Sequence, residues 1–456
     1  MPSRQDGELA AVSDVAERAR RRVARRILPF LSLVYIVAYI DRANLGIAKL
    51  QMQRDLGFSD ATIGLGAGIF FLGYVLLEIP GTLIVERWSA RKWLARIMIS
   101  WGIAACLMAF LGTRLFGGAA LVKQFYWLRF LLGVAEAGFF PGVIVYLSHW
   151  FRVEDRAFAK AWFMIAQPLA IAIGLPVSRW IVENVHWAGW AGWRWVFLIE
   201  GGPAIILGVV TLLYLTDRPH QAEWMPDDEK RWLAAELSRE EAGKVAAGRV
   251  RFWLAFRDPS TLLLGTVFFL IVTGNQAMIY FLPSITENMK GMSVTVKTLV
   301  TMTPYLLSVC GILWNGLSSR RTGERRWHTA LPILLTATAW FCAILAGDRV
   351  ALAITFFGLA GFVGQAYLPV FWTLPTGFLG KDAAAASVGI INSLGNLGGF
   401  VGPYLFGYLR TSTGSFTAGL WFLAGCMFCA GLLATRIQAP RSPIPNSKRM
   451  THAAKA

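Results

Sequence analysis

The sequence predicts an all-α membrane protein with twelve transmembrane helices in two six-helix bundles, and three observations carry that prediction. Of its 456 residues, 55% are hydrophobic and only 16% are charged, with a mean hydropathy of +0.51. A water-soluble chain of this length needs far more polar surface to cover its core; only an apolar solvent tolerates such a balance. Apolar runs of bilayer-spanning length recur along the chain, and the basic residues concentrate in every second connection between them.

The apolar runs fall at 28–50, 61–85, 93–112, 124–148, 159–182 and 195–216, and resume at 259–285, 296–318, 329–346, 350–374, 384–409 and 416–437. This spacing divides the chain into a basic N-terminus (1–27), a first six-helix half (28–216), a polar linker (217–258), a second half (259–437) and a tail (438–456). The linker carries a short amphipathic stretch, Asp227 to Leu237. Six spans, a linker and six more suit a two-bundle transporter with its site near the midplane.

The net charge of +17 resembles a nucleic-acid footprint until its distribution is examined. Roughly 32 of the 44 Lys and Arg residues lie at Arg18 to Arg26, Arg87 to Arg96, Arg152 to Lys160, the linker, Arg320 to Arg326 and the tail. That alternation is the positive-inside pattern. It predicts cytoplasmic N- and C-termini in a multi-pass plasma membrane, a bacterial inner membrane, with lipid and no nucleic acid as the surroundings. The first apolar run is too long for a cleavable signal and lacks a small-residue cleavage site. The cysteines at 106, 310, 342, 426 and 429 all lie in apolar stretches, so Cys426-x-x-Cys429 reads as packing rather than redox chemistry.

Small residues at four-residue spacing, Gly64/Gly68, Gly395/Gly399 and Gly398/Gly402, predict close helix approach. Pro80, Pro141, Pro168, Pro304 and Pro369 interrupt apolar runs, which a bundle tolerates when its neighbours satisfy the freed carbonyls.

Ionisable groups inside spans cost several kcal/mol and are functional candidates by default. In the first span Tyr35, Tyr39 and Arg42 share a helical stripe, while Asp41 points roughly 100° away from it. Arg42 is then placed to meet a carboxylate beside tyrosines and Asp41 to face a different partner, the alternative being a structural ion pair near the outer end of the helix. In the fourth span Arg129 and Glu136 lie seven apart on one face. Arg129 favours an ionised Glu136 and burial favours a protonated one, so the carboxyl is poised to exchange a proton. Asp41 and Glu136 are therefore the candidate proton carriers, against the alternative of a static salt-bridge network. Glu78 and Glu200 serve either transport or interhelical bonding. Gln167, beside Pro168, is long enough to reach a central cavity, and His149 reads as interfacial. The second half holds almost no charge but offers Asn275, Gln276, Tyr280, Gln365, Tyr367, Trp372, Asn392 and Asn396. Charge from one half with neutral donors and aromatics from the other suits a small organic anion.

Several stretches resemble the anion:cation symporter family of the major facilitator superfamily. They are Asp41-Arg42-Ala43-Asn44 with Gly46, Phe71 to Pro80, Arg129 to Gly142, Trp195 to Gly201, Glu324-Arg325-Arg326 and Gly419 to Phe422, which together cover nearly the whole chain. The similarity is strongest to the branch of 4-hydroxyphenylacetate, phthalate, tartrate and sugar-acid permeases. It implies proton carriers at Asp41 and Glu136, with Arg42 and Arg129 beside them. It also implies substrate contacts at Tyr39, Tyr74, Gln167, Trp372 and Asn392. Two cytoplasmic loops depart from the superfamily pattern. Glu86-Arg87-Trp88-Ser89-Ala90-Arg91-Lys92 stands where Asp-Arg-x-Gly-x-Arg is usual, and Ser319 precedes Arg320 where Asp is common. In relatives these loops latch the cytoplasmic gate, which makes Glu86, Arg87, Arg91 and Arg320 the gate-loop candidates.

The expected function is proton-coupled uptake of a small organic carboxylate, an aromatic acid, dicarboxylate or sugar acid, by alternating access. Proton-driven efflux of an anionic or amphipathic compound is the alternative within transport. A membrane enzyme or a sensor is disfavoured, because no metal-ligand cluster, Walker loop or nucleophile–base pair stands out. No cofactor or metal is expected, and the family implies a monomer.

Overall fold

The computed structural model describes residues 4–245, 257–347, 349–375 and 381–437; within these, the side chains of residues 4–13, 79, 82, 83, 86, 87, 157, 161, 241–245 and 381–386 are not described. The 438–456 tail and the 246–256 part of the linker lie outside the described residues.

Fifteen α-helices are described. They are α1 Arg4–Leu56, α2 Asp60–Arg87, α3 Ala90–Met108, α4 Leu121–Glu136, α5 Phe139–Ser148, α6 Val153–Asn184, α7 Gly192–Tyr214, α8 Asp227–Val245, α9 Pro259–Glu287, α10 Val294–Thr322, α11 Arg326–Leu345, α12 Val350–Gly364, α13 Leu368–Phe371, α14 Lys381–Thr413 and α15 Phe416–Ala434. There is no strand among the described residues. Ten segments are long and apolar enough to cross a membrane, two of them assembled from the pairs α4–α5 and α12–α13. The twelve-helix set is completed by α3, whose first turns carry Arg91, Lys92 and Arg96, and by the Gly- and Asn-rich α14.

Three expectations from the sequence change. The basic N-terminus is helical and continuous with the first span in α1. The amphipathic linker stretch extends into the longer α8. The runs 124–148 and 350–374 each remain one span, but neither is one continuous helix. In the first, Ala137 adopts extended backbone (ψ 136°) and Gly138 the left-handed region (φ 82°), so α4 ends at Glu136 and α5 restarts two residues before Pro141. Glycine suits that geometry because it has no Cβ to clash. In the second, α12 ends at Gly364 and the chain turns through Gln365 to Tyr367 before α13. Apolar length alone cannot show such breaks, because the residues on either side stay equally hydrophobic.

The chain packs as two compact units. The first holds 1–249, 275–303 and 396–419; the second holds 250–274, 304–395 and 420–456. Within the first, α3 packs on α7, α1 on α6, and α2 on α4. The α2–α4 contact is a reciprocal glycine fit. A Cβ on Gly133 would run into the Phe70 carbonyl oxygen, and one on Gly73 into that of Phe130. Bare glycines let the two backbones touch, as membrane helices require when no hydrophobic force drives them together. Gly64 and Gly68 of the predicted small-residue pair lie against the backbone of Pro403 and Phe400 in the same unit.

Ion pairs at the basic segments are internal to this unit. Arg18 pairs with Asp228, Arg20 with Asp155, and Arg22 with the fully buried Glu229 of α8. Arg26 lies over the rings of Tyr214 and Trp224 at 4.4 and 4.8 Å. The basic stretch before the first span is thus engaged by the linker helix. Elsewhere in the unit, Lys49 faces Asp60 at 3.5 Å and the Phe281 ring at 3.6 Å, while Arg179 bonds Glu287 at 2.8 Å.

Within the second unit, α11 packs on α12, and the Asn315 amide donates to the carbonyls of His328 and Ala366, each at 2.8 Å. Ahead of α11, Glu324 accepts from the Trp327 amide at 2.8 Å, the His328 amide at 3.1 Å and His328 Nδ1 at 2.9 Å. A carboxylate there satisfies the orphan donors of a helix N-terminus.

Two predictions follow from this packing. Gly133→Ala should abolish most of the monodisperse peak in fluorescence-detected size-exclusion of detergent-solubilised protein, because the obstacle is backbone and overpacking of about 1–3 kcal/mol cannot be relieved by a rotamer change. Gly202→Ala, at a position with no neighbour for a Cβ, should leave the peak intact. For Glu324, partial burial raises the proton affinity of the carboxyl, but the Trp327 amide and His328 outweigh it and hold its pKa below the ordinary value. A depressed acid stabilises the fold above its unfolded pKa and loses that contribution as pH falls through its folded one. Glu324→Gln should therefore lower the melting temperature at pH 7 by about 2–4 °C, the shift that about 1 kcal/mol of capping gives, and the gap to wild type should close once pH falls below about 4.

Candidate functional site

The first unit gathers the predicted charges of the first and fourth spans in one buried place. Asp41, Arg129 and Glu136 are 3%, 1% and 2% exposed, and the Arg42 side chain 14%. Arg42 reaches from α1 to the end of α4. Its Nε donates to Glu136 Oε1 at 2.7 Å, and its Nη2 forms an ion pair with the same oxygen. Its guanidinium is ringed by Tyr39, Phe70 and Tyr74, whose centroids lie 5.1, 5.3 and 5.2 Å away. Aromatic faces stabilise a cation that has left water. Tyr35 stacks on Phe163 at 4.0 Å and meets Tyr39 edge-on at 4.8 Å, which holds the stripe in place.

The pairing differs from the sequence expectation. Arg129, not Arg42, was expected to sit on Glu136, because the two share a helix face. Instead Arg129 Nε donates to the Gly66 carbonyl at 3.2 Å and its guanidinium lies 5.1 Å from the Phe70 ring. The close α2–α4 contact explains this: it brings the backbone of α2 within reach of Arg129. Glu136 sits at the broken end of α4, where α1 supplies its partner.

Two buried donors are left over. Arg129 Nη2 and the Tyr280 hydroxyl make no hydrogen bond of ordinary geometry among the described residues; the two side chains face each other, with the guanidinium turned toward the hydroxyl oxygen and the hydroxyl hydrogen left without an acceptor. Tyr280 is fully buried. A buried donor without an acceptor costs about 1–3 kcal/mol, so the pair marks a place where an acceptor belongs. Tyr280 was noted in the sequence only among the neutral polar groups of the second half, since nothing in its local pattern links it to Arg129.

On the other side of α1, Asp41 Oδ1 accepts from the Asn44 amide at 3.1 Å. Asp41 also lies in the field of Glu136, Arg129 and Arg42 without a direct ion pair among the described residues. Glu78, 4% exposed, accepts from both sides of the Asn396 amide nitrogen's reach, at 3.3 and 3.1 Å.

The remaining predicted residues are less closely gathered. Gln167 is partly buried on α6 and makes no hydrogen bond among the described residues. Trp372 belongs to the second unit, where it meets Phe268 edge-on at 5.1 Å; Asn392 lies in that unit too, on α14. Of the gate-loop candidates, the side chains of Glu86 and Arg87 lie outside the described residues. The Arg91 amide donates to Asp217 Oδ1 at 2.8 Å, and Ser89 Oγ to Oδ2 at 2.7 Å, so Asp217 ties the start of α3 to the end of α7. Arg320 is exposed and lines a cavity of about 300 Å³ with Ser319, Arg325 and Pro369. Among the described residues no group of His, Cys, Asp and Glu is arranged to hold a metal ion.

Residues 31–403 match the Major Facilitator Superfamily. A protein of Agrobacterium vitis that carries the designation tartrate transporter is 43% identical over 444 residues, covering 96% of this chain and 95% of its own length. A protein of Acinetobacter baumannii designated a quinolone resistance transporter is 38% identical over 421 residues, covering 91% and 94%. The crystal structure of a D-xylose–proton symporter superposes with a TM-score of 0.72 at 16% identity, covering 91% of this chain and 98% of that one, a likeness of fold alone. The chain belongs to the major facilitator superfamily and is a multi-pass membrane transporter, not an enzyme.

Proposed function

We propose that this protein takes up a small organic carboxylate, with tartrate as the leading candidate, in symport with protons. One observation carries the reading: two buried groups with unmet hydrogen-bonding capacity, Arg129 Nη2 and the Tyr280 hydroxyl, face each other beside the Arg42–Glu136 ion pair. A carboxylate supplies acceptors of the right charge, and an Arg fork binds it with two parallel bonds. The similarity to a protein designated a tartrate transporter supports the substrate class.

The charges then suggest how proton and anion are coupled. Arg42 and Arg129 balance Asp41 and Glu136, so an entering anion leaves an excess negative charge in a low-dielectric site. Protonation of Glu136 or Asp41 removes that excess. Because Glu136 occupies Arg42, its protonation also frees the guanidinium for the substrate. Each ligand thus favours the other, and the coupling is reciprocal. Tyr39 and Tyr74, whose rings flank Arg42, are proposed to shape the anion's surroundings. The positive-inside pattern supports cytoplasmic termini in a bacterial inner membrane.

The test is uptake into proteoliposomes under an imposed pH gradient. Wild type should concentrate labelled tartrate with co-movement of protons. Asp41→Asn should lose at least about 90% of gradient-driven accumulation while retaining counterflow exchange, since only the proton step is removed. Tyr280→Phe should raise the KM for tartrate about tenfold, the effect of about 1.4 kcal/mol from one lost hydrogen bond to a charged group. Full accumulation by Asp41→Asn would remove Asp41 from coupling, and no saturable transport of tartrate, other dicarboxylates, sugar acids or aromatic acids would overturn the anion reading.

A second reading, proton-driven export, is favoured by the similarity to a quinolone resistance transporter. Quinolones themselves carry a carboxylate that the same arginines could hold. Inverted vesicles acidified inside should accumulate a quinolone under that reading, whereas under the uptake reading a strain deleted for the gene should be no more susceptible to the quinolone than its parent.

A further inference from the structure

The coupling site has a third acid that neither the family resemblance nor the charge balance above uses. Glu200, on α7, is 5% exposed and receives a hydrogen bond from Ser178 Oγ on α6 at 2.7 Å. It forms no ion pair among the described residues, and its Oε2 has no hydrogen-bond partner there. The Asn44 amide, 1% exposed, stands between Glu200 and Asp41. It donates to Asp41 Oδ1 at 3.1 Å and is a hydrogen-bonding neighbour of Glu200, while its own Oδ1 has no donor.

We propose that Glu200 is a third proton-binding carboxyl of the transporter, sharing a single negative charge with Asp41 across the Asn44 amide. The reading rests on the proton-coupled function proposed above. Its logic is electrostatic. Asp41 lies in the field of Arg42 and Arg129, whereas no cation among the described residues compensates Glu200. The groups facing Glu200 are Asp41 and Asn44 from α1 and Ser178 from α6; Cys106 of α3, beside Gly201, is neutral as a thiol and lies in the field of Asp41. Two carboxylates bridged by one neutral amide in an apolar surrounding do not both ionise, so one proton stays with the pair. When Asp41 takes up its proton from outside, Glu200 feels one less negative neighbour, and when Asp41 releases it, Glu200 holds its own more tightly. Glu200 therefore sets the pH at which Asp41 cycles. It acts through Asp41 and is a positioning residue for the coupling step.

The decisive measurement is an infrared pH titration of the purified protein in lipid vesicles, following the C=O stretch of protonated carboxyls. Wild type should keep a band at neutral pH that Glu200→Gln removes. In Asp41→Asn, with the competing charge gone, the same band should disappear about one pH unit lower than in wild type. In proteoliposomes, Glu200→Gln should move the pH profile of gradient-driven uptake toward alkali by a few tenths of a unit, because Asp41 then bears alone a charge the pair had shared, and Glu200→Asp should restore part of that shift. A purely structural Glu200 predicts no band change and an unmoved pH profile, since glutamine keeps the size and the bond to Ser178. Either of those results would overturn the proposal. The infrared titration needs neither substrate nor gradient, so failure of the symport reading, seen as uptake indifferent to pH gradients in wild type, is distinguishable from failure of this one.

Discussion

The buried ion pair between Arg42 and Glu136 is the interaction around which the site is organised. In a low-dielectric interior each unpaired charge costs several kcal/mol, so charges there come in balanced sets or carry protons. Two arginines and two carboxylates satisfy that constraint in the absence of a ligand. A third negative group, whether substrate or side chain, disturbs it. Under the proposed function the same rule makes the site responsive, because an anion then enters at low cost only if a proton enters too. Whether removing one partner of such a pair stabilises or destabilises depends on what is left behind, and here a lone Arg42 would be left among three aromatic rings.

Backbone features place that pair. The break at Ala137 and Gly138 ends α4 at Glu136, so the carboxyl sits at a helix end rather than in the middle of a continuous span. Irregular backbone at membrane depth is tolerated only where protein or a polar cavity surrounds it, which fits its position within the first unit. The glycine fit between α2 and α4 has a second consequence. It brings the Gly66 carbonyl and the Phe70 ring to Arg129, leaving only part of that guanidinium satisfied. Helix packing and ligand chemistry are thus linked through two glycines that carry no chemistry themselves.

The acids fall into distinct environments even though all are buried. Glu136 faces a cation directly, Asp41 lies in the field of two without touching either, Glu78 is held by an asparagine amide, and Glu200 has a hydroxyl and an amide. Such graded surroundings separate proton affinities, which is what the proposed proton coupling needs. At the far end of α1 the basic N-terminal turns are engaged by α8 and α6 through ion pairs, so the first span is anchored to the linker helix as well as to its bundle.

The sequence by itself determined the membrane character, the helical class and the identity of the charged groups, because apolar length and intramembrane charge are properties of composition and periodicity. Asp41, Arg42, Arg129 and Glu136 stood out for the energetic cost of their position, and the divergence of Asp41 from the Arg42 stripe followed from helical geometry. The partners were not legible. Arg42 and Glu136 are 94 residues apart, and Arg129 and Glu136 shared a face yet did not pair, because a carbonyl on α2 and a helix break intervened. Tyr280 and Glu200 looked ordinary in sequence, one an aromatic in an apolar run and the other an acid open to two readings. Only the tertiary structure decided that Tyr280 faces Arg129 and that Glu200 shares an asparagine with Asp41, since the absence of a counter-ion is a property of three-dimensional surroundings and leaves no mark on the local pattern.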